Sequence, residues 1–407
     1  MRVVWQRVMP SGCGRGERAL RWLALFVFVA LGVRIHLQAT AGAIDFDGFH
    51  AAARHVLDEG SIRDAENVAR YLPHFQILHL PFALLPVGAA AVLWYVASVA
   101  ALLATPRELE RLSGVAPRDQ WPAWLAAAPF AWANLPLGQS GPVLLWAGLF
   151  AINRVREGAG ACGGAVLALV TLFKAPMAAL VAAPLLLGRP VRVLAGLVAT
   201  LAVCSALLVA VVGPADAWES TARWWELIRT KQSPEGMVRF DQSLRFNNQS
   251  LPITLVRNFG ELPRGLHIRG ATRIAAVSRP VIWTGVQLVV ACLVAVGLAC
   301  AARARRRGRD RESWLVVTSL SALGLLFVSP LVWTHYFIWT LPALVALRAS
   351  RRAYVVWFVV AVAGLASPYA RGLGAHLWMA LVLYLALAWR FLRAPSPESL
   401  PPPAPGG

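Results

Sequence analysis

Charge is scarce in this chain. Of its 407 residues, 14% are Asp, Glu, Lys or Arg, against about 25% in soluble globular domains. With 58% hydrophobic residues and a mean hydropathy of +0.58, that deficit excludes an ordinary soluble protein. Lysine is scarcer still, limited to Lys174 and Lys231, so a lysine inside an apolar stretch stands out. The five cysteines (Cys13, Cys162, Cys204, Cys292 and Cys300) lie mostly in apolar runs without metal-ligand spacing; they read as small hydrophobes and imply no disulfide framework. There is no internal repeat and no Gly-rich phosphate loop. His50/His55 and His74/His79 are spaced by five, which is poor for one helical face, so no metal site is expected. The net charge of +19 comes from arginines scattered between apolar runs. It forms no continuous basic face and argues for cytoplasmic loops, not nucleic acid.

What is present is a series of apolar runs separated by short arginine-bearing gaps, the pattern of an all-α multi-pass membrane protein. Residues 1–20 carry arginines and are expected in the cytoplasm, ahead of an apolar run over 22–37. Ala39-Thr40-Ala41 allows a cleaved signal peptide; the alternative is an uncleaved first helix. Taking the gaps 105–120, 154–158, 188–192, 303–311 and 348–352 and the tail after Arg390 as cytoplasmic gives a consistent weave. The chain then reaches the other side at 40–74, 137–141, 174–176, 213–279, 329–336 and 370–374, in about ten to twelve transmembrane or half-spanning helices. The stretch 160–187 is too short to enter and leave as two full spans of about 20 residues. With Phe173-Lys174-Ala175-Pro176 at its centre, it predicts two half-helices meeting beside a polar cavity. The membrane domain covers 21–393, with extracytoplasmic loops at 40–74 and 213–279. The second loop, bearing Trp218, Trp224 and Trp225, would form an interfacial or extracytoplasmic cap. The Pro-rich tail 394–407 is expected to be disordered.

The weave places five polar groupings on one side: Asp45 with Asp47, Gly138-Gln139-Ser140, Lys174, Asn247-Asn248-Gln249-Ser250, and Ser329-Pro330 with Trp333 and His335. Polar groups at membrane depth are costly and mark functional sites. Each also has a plainer reading. Asp45 suits a helix N-cap, since Phe46, Phe49, Ala53, Val56 and Leu57 recur with helical spacing and Gly60 ends the run. Lys174 could snorkel to the interface, His335 could be a hydrogen-bonded structural histidine, and 247–250 could be a loop turn. Taken together, a carboxylate at a membrane mouth, cations deeper in and nearby aromatics suit sugar transfer from a lipid-linked phosphate. The carboxylate takes the acceptor's proton, and the departing phosphate needs positive charge and hydrogen-bond donors, which Lys174, His335 and Gln139 could supply.

At these residues the chain resembles glycosyltransferase family 87 of the GT-C architecture, bacterial multi-pass enzymes that use polyprenyl-phosphate sugars. The similarity covers roughly 20–390. Asp45-Phe46, Phe49, Ala52 and Ala53 match its Asp-Phe-x-x-Phe/Tyr-x-Ala-Ala opening, and Pro81-Phe82-Ala83-Leu84-Leu85-Pro86 with Trp94 its proline-rich second segment. Gly138-Gln139 and Asn248-Gln249-Ser250 match shorter motifs, and Lys174 with Pro176 matches a Lys-x-x-Pro step loosely. Ser329-Pro330-Leu331-Val332-Trp333-Thr334-His335 matches Ser-Pro-x-x-Trp-x-His. Tyr71-Leu72-Pro73, Gly141 and Tyr336 depart from the family's Tyr-Pro-Pro, asparagine and second histidine.

The resemblance implies Asp45 as general base, and Lys174, His335, Gln139, Asn248, Gln249 and Trp333 as residues for the donor phosphate and sugar. It implies a polyprenyl-phosphate sugar donor, most simply mannose, an extracytoplasmic glycolipid or glycan acceptor, and inversion to an α-glycoside. No cofactor or metal is implied. The protein would sit in the bacterial inner (plasma) membrane among its lipids, with the site facing outward. A transporter or lipid-linked-sugar flippase is the alternative, since it too would gather polar groups at broken helices.

Overall fold

The computed structural model describes residues 15–62, 71–231, 233, 244–261, 274–348 and 351–394. The Pro-rich tail expected to be disordered over 394–407 lies almost wholly outside them. The described chain is helical, with no strand among the described residues beyond two isolated bridges. Among the described residues, six helices are long and apolar enough to cross a membrane: residues 22–40, Val87–Ser113, Pro190–Val212, Arg279–Arg306, Arg311–Val328 and Ala375–Arg393. Shorter apolar helices fill the space between them, so the protein is a multi-pass membrane protein that combines full spans with half-spanning helices. The remaining passages are broken or short.

The arginine-bearing turns meet one another at one end of the bundle. Arg303 donates to the carbonyl oxygens of Phe391 and Ala394, Arg305 to that of Leu186 and Arg390 to that of Leu347. A guanidinium in this position satisfies the carbonyls a helix leaves open at its C-terminus and suits the negative end of its dipole.

Two passages share one design. Helix Gly160–Phe173 stops at Lys174, whose backbone is extended (φ −154°, ψ 98°), and resumes as a 3₁₀ segment Ala175–Val181 and helix Ala182–Leu187. Pro176 has no N–H for a continuing ladder, so the break is where the sequence requires it. Helix Arg311–Val328 stops at Ser329-Pro330 and resumes after Trp333 as a 3₁₀ segment Thr334–Thr340 and helix Leu341–Leu347. Both breaks expose backbone and polar side chains to the same interior space, as broken membrane helices do where they line a cavity.

Candidate active site

Helix Asp45–Glu59 begins at Asp45 and ends at Gly60, which takes the left-handed conformation (φ 63°) that glycine adopts without a Cβ penalty. The cap reading for Asp45 is overturned: the N-cap is Ile44, and Asp45 makes no side-chain cap bond. Asp47, third in the helix, does that work, accepting hydrogen bonds from the backbone N–H groups of Ile44 and Gly48. This is the reach-back half of a capping box. Asp45 is thereby released to face the cavity, where Gln139 Nε2 donates to its Oδ2 at 2.5 Å.

That cavity has a volume of 1320 Å³ and receives Asp45, Gln139, Lys174, Trp333 and His335 along its wall. Lys174 is 4% exposed and its Nζ sits 3.8 Å from the centroid of the Tyr336 ring. A desolvated ammonium on an aromatic face gains about 2 kcal/mol from the ring quadrupole. Tyr336 is the residue that departs from the family's second histidine, so this chain holds its lysine by a ring face. His335 is 6% exposed, and its Nε2 is buried without a hydrogen-bond partner.

One side chain positions three of these groups. Trp94 stacks on Phe173 with centroids 5.8 Å apart at 3° and lies 6.2 Å from Phe46. Its Nε1–H donates to the Gly138 carbonyl at 2.9 Å. Phe173, Phe46 and Gly138 are the chain neighbours of Lys174, Asp45 and Gln139. Gly138 itself has φ 64°, and a Cβ there would lie 2.6 Å from Phe46 Cβ, so only glycine lets this turn approach the Asp45 helix. A second support is Asn134, whose Nδ2 donates to the His335 carbonyl and whose own carbonyl accepts from Gln139 N–H. A Cβ on Gly141 would meet Asn134 Oδ1 at 2.2 Å. Gly141, the departure within the Gly-Gln motif, makes room for that amide.

Asn248 and Gln249 stand elsewhere. Both are fully buried and away from the cavity wall. Asn248 Oδ1 accepts from Val332 N–H and Ser250 N–H, and Gln249 N–H donates to the Val332 carbonyl. The Gln249 amide closes on His376, accepting from its backbone N–H and bonding its Nδ1 at 2.7 Å. These residues hold the Ser329–His335 break in shape.

Sequence reasoning missed the cationic rim. Arg245 and Arg371 line the cavity, and Arg371 lies over the Phe246 ring and donates to Asn247. Arg245 lies in a loop and Arg371 in the short helix Pro368–Gly372, and Arg257 joins them. Fully buried, it donates to the carbonyls of Arg245, Asn248, Arg371 and Gly372. Burial lowers its guanidinium to about 10, so it stays protonated at neutral pH with every donor in place. The sequence signal for it was an arginine within the apolar helix Leu251–Phe259. Each histidine of the two spaced pairs has a local partner: Leu85 O for His50, Ser61 for His55, Ser205 for His74 and Phe75 O for His79.

A carboxylate, a buried ammonium and a buried, unpartnered imidazole on one cavity in a membrane bundle match the sequence relationships. Residues 70–330 match glycosyltransferase family 87. The chain belongs to that family. It is 28% identical to a polyprenol-phosphate-mannose-dependent alpha-(1-2)-phosphatidylinositol mannoside mannosyltransferase of Mycolicibacterium smegmatis, over 89% of this chain and 83% of the relative. No solved structure matches. The protein is therefore a membrane glycosyltransferase of the hexosyltransferase class.

Proposed function

We propose that the protein transfers a sugar, mannose in the first instance, from a polyprenyl-phosphate donor to a hydroxyl of an extracytoplasmic glycolipid or glycan. The observation that carries this reading is that Asp45, Lys174 and His335 share one cavity, with Asp45 held by Gln139. The acceptor oxygen attacks the anomeric carbon as the carbon–oxygen bond to phosphate breaks. The hydroxyl proton passes to the Asp45 carboxylate, through the Oδ1 that Gln139 does not occupy. The polyprenyl phosphate leaves with the bonding electron pair. Its last ionisation lies near pKa ~6, so it departs without a general acid and needs only cations and donors to receive it. Lys174 and the unpartnered His335 Nε2 take that role, and Trp333 offers a flat face to the sugar. Attack opposite the phosphate inverts a β-linked donor to an α-glycoside. The arginine-rich end then lies in the cytoplasm by the positive-inside rule, and the cavity opens outside.

The test is Asp45→Asn in purified, folded protein with polyprenyl-phosphate mannose as donor. Loss of the base is predicted to lower turnover by about 10²–10⁴-fold, with insertion and melting temperature kept. Near wild-type turnover would remove Asp45 from this role.

A further inference from the structure

Helix Pro214–Lys231 has three faces. At 100° per residue, Ala215, Trp218, Ala222 and Trp225 fall on one stripe, and all four are exposed, Trp218 at 76% and Trp225 at 61%. Ala217, Ser220, Trp224 and Ile228 form a second, inward stripe. Ala217 packs with Val56 of the Asp45 helix and with Leu208, while Trp224 and Ile228 line the cavity. Between these stripes lie Asp216, Glu219, Arg223 and Glu226. Arg223 lies 3.5 Å from Glu219 and 3.8 Å from Asp216, and Arg229, in line with the outer stripe one turn beyond Trp225, lies 2.9 Å from Glu226. A helix in water needs two faces, one toward the protein and one toward solvent. A third, apolar and aromatic, face calls for another medium.

The chain supplies that medium's position. The preceding span Pro190–Val212 shows an exposed apolar surface, including Val198, Val203, Leu207 and Val211. One residue, Gly213 (φ 83°), separates its last residue from Pro214. An extended residue spans at most about 3.6 Å, so the next helix starts at the membrane surface where the span ends. The outer tryptophan stripe thus continues the lipid-facing surface of the span. Asp216 Oδ2 accepts from Ile62 N–H at 2.8 Å, fixing the start of the helix to the segment that follows the Asp45 helix.

We propose that the Pro214–Lys231 helix lies in the membrane interface, with Trp218 and Trp225 seated in lipid, and forms the wall between bilayer and reaction cavity. Tryptophan suits this depth because its ring is apolar and its N–H is polar. Trp224 and Trp225, with ring centroids 6.3 Å apart, then face the cavity and the lipid respectively, so a lipid-borne substrate meets the site at headgroup depth. The wall's share in catalysis rests on the cavity reading above; the lipid seating does not.

The experiment uses the full chain with its native cysteines replaced and single cysteines at 218, 222, 225, 219 and 226. Each is labelled with a small fluorophore and reconstituted in phosphatidylcholine vesicles carrying nitroxide lipids, shallow or deep. Labels at 218, 222 and 225 are expected to be quenched several-fold more by the shallow nitroxide than labels at 219 and 226. Position 222 leaves both tryptophans in place, so the result survives if a tryptophan variant fails to fold. Quenching by aqueous iodide alone, equal at all five positions, would overturn the proposal. So would shielding of 218 and 225 from both quenchers, which would mean a protein partner covers the stripe. Separately, an unchanged kcat and donor KM in Trp224→Ala would overturn the helix's share in the cavity, whatever the quenching shows.

Discussion

Replacing Trp94 by phenylalanine removes one hydrogen bond and part of one ring from the point where the site's three supports meet. The Gly138 carbonyl loses its donor at 2.9 Å in a place where Trp94 is only 5% exposed. An unsatisfied buried acceptor costs about 1–3 kcal/mol. The turn therefore gains by moving toward another donor, and Gln139, one residue on, moves with it. A displacement of about 1 Å in a catalytic geometry costs about 10²-fold. The prediction is a kcat reduced by about 10–10²-fold with donor KM little changed, measured on purified protein with polyprenyl-phosphate mannose. Phe82→Leu is the control. Phe82 packs edge-on against Trp94 at 5.3 Å but makes no bond to the Gly138 turn, so it should lower thermal stability without a comparable fall in kcat. If Trp94→Phe keeps wild-type kcat, or if both variants lose activity in proportion to stability, the positioning role is refuted.

Other substitutions test the remaining supports. Gly138→Ala places a Cβ 2.6 Å from Phe46 and strains a positive φ, a cost of about 1–2 kcal/mol from the backbone alone. A lower melting temperature together with lower kcat is expected, and an unchanged thermal scan would contradict it. Arg257→Lys keeps the charge but cannot span four carbonyls with one ammonium. Destabilisation nearly as large as in Arg257→Leu is predicted from denaturation of the two variants side by side. Asp47→Asn tests the capping role by pH. Burial, with the neighbouring Asp45 carboxylate adding to it, raises the Asp47 carboxyl above its ordinary 3.8. A raised acid disfavours its charged form in the folded state, so the charge costs stability as pH climbs through the folded value. The variant, whose amide oxygen still accepts from Gly48, should be the more stable at neutral pH, and melting curves should converge below about pH 3.8. A constant difference across pH would assign the effect elsewhere.

Much of this arrangement was legible from residue order. Arginine gaps located the ends that meet in space, Pro176 located the Lys174 break, and the spacing from Phe46 to Gly60 outlined the helix that carries Asp45. What residue order left open was division of labour among like residues. Residue spacing pointed to Asp45 as the cap, and only the path of the backbone shows that Asp47 takes the bonds to Ile44 and Gly48. Asn248 and Gln249 carry the same amides as Gln139, yet a backbone bridge to Trp333 turns them inward. Arg371 and Trp94 matter through partners more than 40 residues away in the chain, and no local pattern records such contacts.

The Gln249–His376 pair carries a consequence for how the enzyme is made. His376 lies at the start of the last span, where Gly364 leaves room for its ring, and the amide it holds is the one under Val332. A chain that lacks this last span keeps the bonds that Asn134 and Asn248 make to the segment bearing His335, yet the Gln249 amide beneath Val332 has lost its imidazole partner. A product truncated before His376 is therefore expected to hold that segment less firmly than the finished chain.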